Sequence, residues 1–182
     1  MAEIIGNNCY SLSVSIQSIS DIDTSLLNFS CGNKSIDSYL KEQAKEDTKN
    51  VTHVFFDEDN RQPIAFVSLK ASGLIFESSA HLEIYPAVEI SYFATDERYQ
   101  HVVIKNFSDI DRYCISDHIF SEIIKHIREI ADFIVGAEFV VLYSVPDAVH
   151  FYERNFFETM PEIFRPEKYL NIDGCVPMVF KL

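Results

Sequence analysis

Glycine and tryptophan are scarce in this sequence, which has five glycines and no tryptophan among its 182 residues. Neither a GxGxxG nor a GxxxxGK(S/T) pattern occurs. Such glycine-rich loops hold dinucleotides and nucleoside triphosphates through backbone amides that a larger residue would obstruct. Nucleotide-binding sites of these two types are therefore excluded.

Cysteine and histidine form no pattern that would bind a metal ion. The four cysteines show no CxxC spacing, so neither a zinc knuckle nor a redox pair is encoded. His118 and His126 lie about two helical turns apart, which is too far to share one ion. We expect no metal site, and we expect the cysteines to be reduced thiols.

Long apolar runs are also lacking. No stretch approaches the run of about 18 apolar residues that a membrane-spanning helix needs. Residues 1–10 do not combine a basic segment with an apolar run, so no secretory signal is expected. We therefore expect a cytoplasmic protein that does not insert into a membrane.

Positive charge is in deficit, because 15 Lys and Arg stand against 28 Asp and Glu, a formal net charge of −13. Nucleic-acid affinity comes mostly from Lys and Arg side chains that neutralise phosphates. Nucleic acid is thus disfavoured as a partner, and we expect a small-molecule, peptide or protein substrate, cationic in character. The alternative is that the charge serves solubility alone. The oligomeric state stays open, a homodimer included.

The chain does contain strand and helix patterns in alternation, with 47% hydrophobic residues. Their order predicts an α/β fold with a mixed sheet, and the length fits one domain, residues 1–182. Either Ser116 or Asp117 is expected to cap the longest helix, and residues 96–116 show no clear period. Strands are predicted over 10–19, 51–56, 63–71, 87–94, 139–144 and 176–180, and helices over 20–27, 33–45, 117–130 and 146–155.

Three short segments carry a family resemblance. The segments are Phe29-Ser30-Cys31-Gly32-Asn33, Glu89-Ile90-Ser91-Tyr92-Phe93-Ala94-Thr95-Asp96 and Ala148-Val149-His150-Phe151-Tyr152-Glu153-Arg154. In these segments the chain resembles the GNAT family of acyl-CoA-dependent N-acetyltransferases, and its first segment is similar to a subgroup that includes bacterial toxins. The resemblance implies a single-domain fold with a mixed, mainly antiparallel sheet flanked by helices.

The same resemblance implies transfer of an acetyl group from acetyl-CoA, the co-substrate, to an amine of a small molecule, peptide or protein. Two alternatives remain open. In one, the chain keeps the fold but has lost CoA binding, and it acts as an interaction module. In the other, it is a toxin that acetylates aminoacyl-tRNA, although the net charge of −13 argues against RNA.

Two candidate catalytic residues follow from the resemblance. Tyr152 matches a tyrosine that protonates the departing CoA thiolate, and a phenol suits this role because it stays protonated at neutral pH. Glu89 matches a glutamate that removes a proton from the substrate ammonium, because only a neutral amine attacks a thioester. Without the resemblance, Tyr152 would be interpreted as a core tyrosine and Glu89 as a solvated charge at a strand end.

The candidate cofactor contacts lie on the central strand and beyond it. In similar proteins the backbone at Tyr92, Phe93, Ala94 and Thr95 hydrogen-bonds the pantetheine arm of CoA. The family then has a glycine-rich loop that binds the pyrophosphate at a helix amino end. Here no glycine occurs between positions 73 and 136, so that loop must be replaced. Ser116, with Arg112 or Lys105 as alternatives, is expected to contact phosphate in its place.

Overall fold

The structure is a computed structural model that describes residues 12–78, 81–106, 112–161 and 174–182. Its contacts divide the chain into two compact units. The first unit comprises Met1–Val67 and Tyr92–Glu122, and the second comprises Ser68–Ser91 and Ile123–Leu182. The single domain over residues 1–182 stays a prediction.

The described strands form a mixed seven-stranded sheet and a separate two-stranded sheet. In the large sheet the order is β1-β2-β3-β4-β7-β9-β8, and the small one pairs β5 with β6. Pairing is antiparallel between β1 and β2, β7 and β9, and β8 and β9, whereas β4 and β7 are parallel. The predicted α/β fold with a mainly antiparallel sheet is thus confirmed. The strands are β1 (Val14–Ser18), β2 (Val51–Asp57), β3 (Gln62–Ser78), β4 (His81–Thr95), β5 (Val103–Asn106), β6 (Arg112–Cys114), β7 (Phe139–Ser144), β8 (Glu158–Thr159) and β9 (Val176–Lys181).

The helices follow the amphipathic patterns of the sequence. Helix α1 (Lys34–Ser38) begins after Asn33, whose side-chain oxygen accepts the amides of Ser35 and Ile36, and it continues into a wide turn over Tyr39–Gln43. Helix α2 (Ile115–Ile130) is followed by a wide turn, Ala131–Val135. Helix α3 (Val149–Arg154) follows a short turn at Pro146–Ala148. None of the described helices is long and apolar enough to cross a membrane.

The first unit has an aromatic core. Phe29 and Phe66 meet edge to face, with ring centroids 5.5 Å apart, and Tyr39 stacks on Phe66 at 6.4 Å. Leu40 and Val54 complete the contact and are fully buried. The segment Phe29 to Asn33 and helix α1 are therefore fixed to the sheet by burial of large side chains rather than by helix propensity.

The second unit has a smaller core on one face of its strands. Leu74 on β3, Ala87 on β4 and Val141 on β7 are buried together with Met160. Tyr85 packs edge to face on Phe139, with ring centroids 6.0 Å apart. This apolar cluster occupies the same strand faces as the polar residues described in the next section.

The structure differs from the sequence-based elements in four places. The helix predicted over 20–27 is replaced by two short 3-10 turns, Ile19–Asp21 and Thr24–Leu26. Strands β3 and β4 run further than predicted, and the unassigned residues 96–116 contain the hairpin of β5 and β6. The cap prediction for α2 is wrong, because the helix already begins at Ile115. Asp117 instead accepts the Cys114 amide from inside the first turn, at 2.9 Å.

Candidate functional site

Glu89 lies buried on β4 in the second unit and carries an ion pair. Its side chain is 9% exposed, and its Oε1 is 2.9 Å from Nζ of Lys70, which is 37% exposed. The Ser72 hydroxyl donates to the other carboxylate oxygen at 3.2 Å. The Glu89 carboxylate is therefore fixed by two partners within the protein. It is not the solvated strand-end charge of the alternative interpretation. An ionised carboxylate has about four lone-pair sites, so these two partners leave room for further donors.

A polar strip continues from Glu89 along the same strand face. Side chains alternate along a strand, so Ser91 shares the face of Glu89. The Ser91 hydroxyl oxygen is buried and has no hydrogen-bond partner among the described residues. On β7, Val141 is the register partner of Glu89, which puts Tyr143 on this face two positions later. Burial, and then the charge of Glu89, raise the pKa of Tyr143.

The pairing of β4 with β7 is short. The parallel register runs from Ala87 with Phe139 to Ile90 with Leu142. Strand β7 itself continues to Ser144, and its last residues pair with β9. Ser91 is therefore the first residue of β4 after the last described pair with β7. Its backbone lies beyond the described hydrogen bonds between these two strands. This is a place where main-chain groups can meet a ligand.

Tyr152 lies on α3, also in the second unit. Its ring contacts Phe151 and Phe157 edge to face, with centroids 5.2 and 6.0 Å away. Its carbonyl oxygen accepts the amides of Asn155 and Phe157 at 3.0 Å each, which fixes the end of the helix. Burial raises the pKa of the Tyr152 phenol to about 12. The phenol is therefore a proton donor throughout the physiological pH range.

The other predicted contacts on β4 belong to the first unit. Tyr92 stacks on Tyr39 with ring centroids 4.0 Å apart, and Phe93 packs on Phe120 at 5.2 Å. Ala94 and Thr95 are buried. These side chains are used for packing, so any ligand contacts of this segment come from its backbone, as the resemblance implies.

The exit of β4 is fixed by a network that the sequence reasoning did not identify. Gln100 donates from Nε2 to the carbonyl oxygens of Thr95 and Cys31, at 2.8 and 3.0 Å. Arg98 donates to the buried Asp96 carboxylate through Nε at 2.7 Å and Nη2 at 3.0 Å. Burial alone would raise the pKa of Asp96, but the hydrogen bonds from Arg98 and from backbone amides outweigh it and lower the pKa.

Arg98 also joins segments that are distant in sequence. Its Nη1 donates to the Gln62 side chain and its Nη2 to the Asn28 carbonyl oxygen, both at 2.7 Å. The signal in the sequence was the motif Asp96-Glu97-Arg98 after the central strand, but its partners 36 and 70 positions away could not be identified from spacing. The network anchors the strand exit to the segment that precedes Gly32.

The amino end of α2 differs from an open phosphate site. Ser116 is the second residue of the helix and is half-buried. The amide of Cys114 donates to the Asp117 carboxylate, and the amide of Ile115 donates to the Val102 carbonyl oxygen, each at 2.9 Å. Two amide groups at this helix end thus already have internal acceptors. The side chains of Lys105 and Arg112, the alternative phosphate contacts, lie outside what the structure describes.

The predicted site residues fall into two groups. Glu89 and Tyr152 belong to the second unit, and Tyr92 to Thr95 belong to the first, as does Ser116. Among the described ranges, no group of three or more His, Cys, Asp or Glu side chains is placed to hold a metal ion.

Comparison with known proteins identifies the fold. No protein-family profile matches the chain, and no curated protein matches its sequence. A structure described as a bacterial toxin matches with a TM-score of 0.68 at 19% identity, over 94% of this chain and 92% of that chain. AtaT complexed with acetyl-methionyl-tRNAfMet matches with a TM-score of 0.66 at 14% identity, over 93% and 95%. AtaTR bound with AcCoA matches with a TM-score of 0.62 at 14% identity, over 92% of each chain.

These likenesses confirm the fold that the resemblance implied, since the chain shares it with these solved structures. The match to the AtaT complex covers 93% of this chain, so both compact units take part in the likeness. One of the similar proteins is complexed with a tRNA. The expectation that nucleic acid is disfavoured as a partner therefore finds no support in these structures.

Proposed function

We propose that this chain is an N-acetyltransferase that uses acetyl-CoA as its co-substrate. The observation that carries the proposal is the likeness, over 92% of both chains, to a protein solved with acetyl-CoA bound. The second unit adds a buried carboxylate, Glu89, and a half-buried tyrosine, Tyr152, whose phenol has a raised pKa. A base and a hydrogen-bond donor of these types suit direct acetyl transfer. The buried Ser91 hydroxyl without a partner fits a polar ligand at the end of the β4–β7 ladder.

Glu89 acts as the base in this proposal. It accepts a proton from the acceptor ammonium, directly or through one water, at a lone pair that Lys70 and Ser72 leave available. The neutral amine then attacks the acetyl carbon, so that the new C–N bond forms as the C–S bond breaks. Lys70 has a positioning role, because its ammonium group holds the carboxylate in one orientation on β4.

Tyr152 stabilises the leaving group. The electron pair of the breaking C–S bond goes to sulfur, which leaves as a thiolate, and the Tyr152 hydroxyl donates a hydrogen bond to that sulfur. The second proton of the attacking nitrogen passes to water as the amide forms. The pantetheine arm is positioned by backbone groups from Tyr92 to Ala94. The Thr95 carbonyl oxygen already accepts from Gln100, so in this proposal Thr95 fixes the strand exit.

The cheapest test is calorimetry with acetyl-CoA, followed by detection of acetylated amines by mass spectrometry. We expect saturable binding, and we expect acetyl transfer that falls in Tyr152→Phe. Tyr85→Phe is the matched control, since it removes the same atom from another tyrosine of the second unit, whose hydroxyl bonds Glu83 at the far end of β4. Failure of acetyl-CoA to bind at millimolar concentration would favour the alternative of an interaction module.

A second proposal concerns the acceptor, and the tRNA complex of AtaT favours it. The acceptor amine would be the α-amino group of an aminoacyl-tRNA, which is uncharged for a part of the time near neutral pH because α-amino groups have a pKa of about 8. Incubation with charged tRNA and, separately, with a lysine-containing peptide would distinguish the two classes of acceptor. Arrest of growth on expression would support the tRNA acceptor, whereas unchanged growth with acetylated peptide would oppose it.

A further inference from the structure

The amino end of α2 is occupied by groups of the chain itself. Helix ends bind phosphate because their first amides lack acceptors and because the helix dipole favours an anion there. Here the Cys114 amide donates to Asp117 Oδ2 and the Ile115 amide donates to the Val102 carbonyl oxygen, both at 2.9 Å. The anion at this helix end is thus the carboxylate of Asp117.

Asp117 cannot easily leave this position. It is 4% exposed, so its charge is held within the protein and is weakly screened. Its carboxylate satisfies a backbone amide in the reciprocal half of a capping box, an interaction that stabilises the helix. A pyrophosphate brought to this end would meet a fixed negative charge, and two of the backbone amides there already have internal acceptors.

We propose that the chain recognises its acyl donor through the pantetheine thioester arm, without pyrophosphate contacts at the amino end of α2, and that Asp117 is the residue that determines this preference. The inference rests on the proposed function, since it concerns the donor of the same reaction. It identifies the ligand class as acylated pantetheine, whether or not a nucleotide is attached.

Calorimetry on the full chain tests the preference with acetyl-CoA, S-acetylpantetheine and ADP as probes. We expect the two thioesters to bind with Kd values within about threefold of each other, which corresponds to less than about 1 kcal/mol. We expect no competition from ADP at millimolar concentration. Binding of acetyl-CoA more than about 30-fold tighter than S-acetylpantetheine, about 2 kcal/mol, would overturn the inference and leave the proposed function intact. If neither thioester binds, the proposed function fails and the inference fails with it.

A charge-neutral variant provides the second test. Asp117→Asn keeps an oxygen that can accept the Cys114 amide, so the helix start is preserved. We expect this variant to let the pyrophosphate approach the helix end and to lower the Kd of acetyl-CoA by at least about fivefold, because removal of one unit charge about 4 Å away is worth about 1 kcal/mol even in water. The Kd of S-acetylpantetheine should stay unchanged. Asp132→Asn is the matched control, because it changes the net charge equally at an exposed position just beyond the helix. Equal changes for both thioesters, or none for acetyl-CoA, would contradict the role of Asp117.

Discussion

The change Tyr152→Phe removes one oxygen atom, and the pKa of the phenol indicates how far kcat should fall. Burial raises the pKa of Tyr152 to about 12, whereas a thiol has a pKa of about 8.5. Complete proton transfer from this phenol to a thiolate is therefore uphill by between about three and four pKa units, or about 5 kcal/mol. Tyr152 should act by donating a hydrogen bond to the sulfur as charge develops, with little transfer of the proton itself. We expect kcat to fall by about 100-fold, the low end for general acid–base catalysis.

The assay is release of free thiol from acetyl-CoA, measured from pH 6 to pH 10 for the wild type, Tyr152→Phe and the control Tyr85→Phe. Because Tyr152 stays protonated over this range, the wild-type rate should show no decline caused by its ionisation. KM for acetyl-CoA should stay the same in Tyr152→Phe, since the lost interaction forms as the C–S bond breaks. An unchanged kcat would refute the role of Tyr152. A loss near 10⁴-fold, with a wild-type rate that declines at pH 8 to 9 in a way the variant does not share, would refute the argument from burial.

Three further predictions concern stability. Lys70→Met removes the partner of a buried carboxylate, and because Lys70 is 37% exposed we expect the free energy of unfolding in urea to fall by about 1–2 kcal/mol. The added change Glu89→Gln should recover part of this loss, and strictly additive effects in the double variant would exclude coupling between the two residues. The pKa of Tyr152 is higher in the folded chain, so its contribution to the free energy of unfolding is complete below pH 10 and is lost as the pH rises to 12; the wild type should lose about 3 kcal/mol more than Tyr152→Phe over this interval, about two pKa units. Arg98→Lys loses the two-pronged contact with Asp96 and should lower the free energy of unfolding by about 2 kcal/mol; an unchanged melting temperature would show that the network contributes no stability.

The sequence predicted those elements whose signal is local. Strand β7 was predicted with the bounds that the structure has, because a short apolar run between polar turns specifies a buried strand. Helix α2 was predicted from its apolar period and begins only two positions earlier than expected. The hairpin of β5 and β6 was missed, because two strands of four and three residues carry too few alternating positions to show a period.

The contacts of the candidate site could be predicted only in part. Glu89 was selected by resemblance, but its partners Lys70 and Ser72 lie on another strand, and their pairing depends on a register that no spacing reveals. Asp117 was expected near the helix start, as one of two candidates for its cap. Its bond with the Cys114 amide could be predicted only if the first residue of the helix were known. Sequence patterns do not locate a helix end to better than one or two positions.

The acidic composition of this chain and the tRNA complex of a similar protein are compatible. Repulsion by the net charge is a long-range effect, whereas placement of one reacting amine depends on short-range contacts. The charge of −13 is a sum over the whole sequence, and at physiological salt each charge is screened beyond about 8 Å. Composition therefore argues against non-specific affinity for RNA, which sums over many phosphates. Placement of one terminal α-amino group beside Glu89 needs only a local surface within one screening length. The dependence of binding on salt concentration therefore distinguishes the two acceptors. Added salt should weaken the binding of a cationic peptide. At low concentrations it should strengthen the binding of a tRNA, because it screens the long-range repulsion.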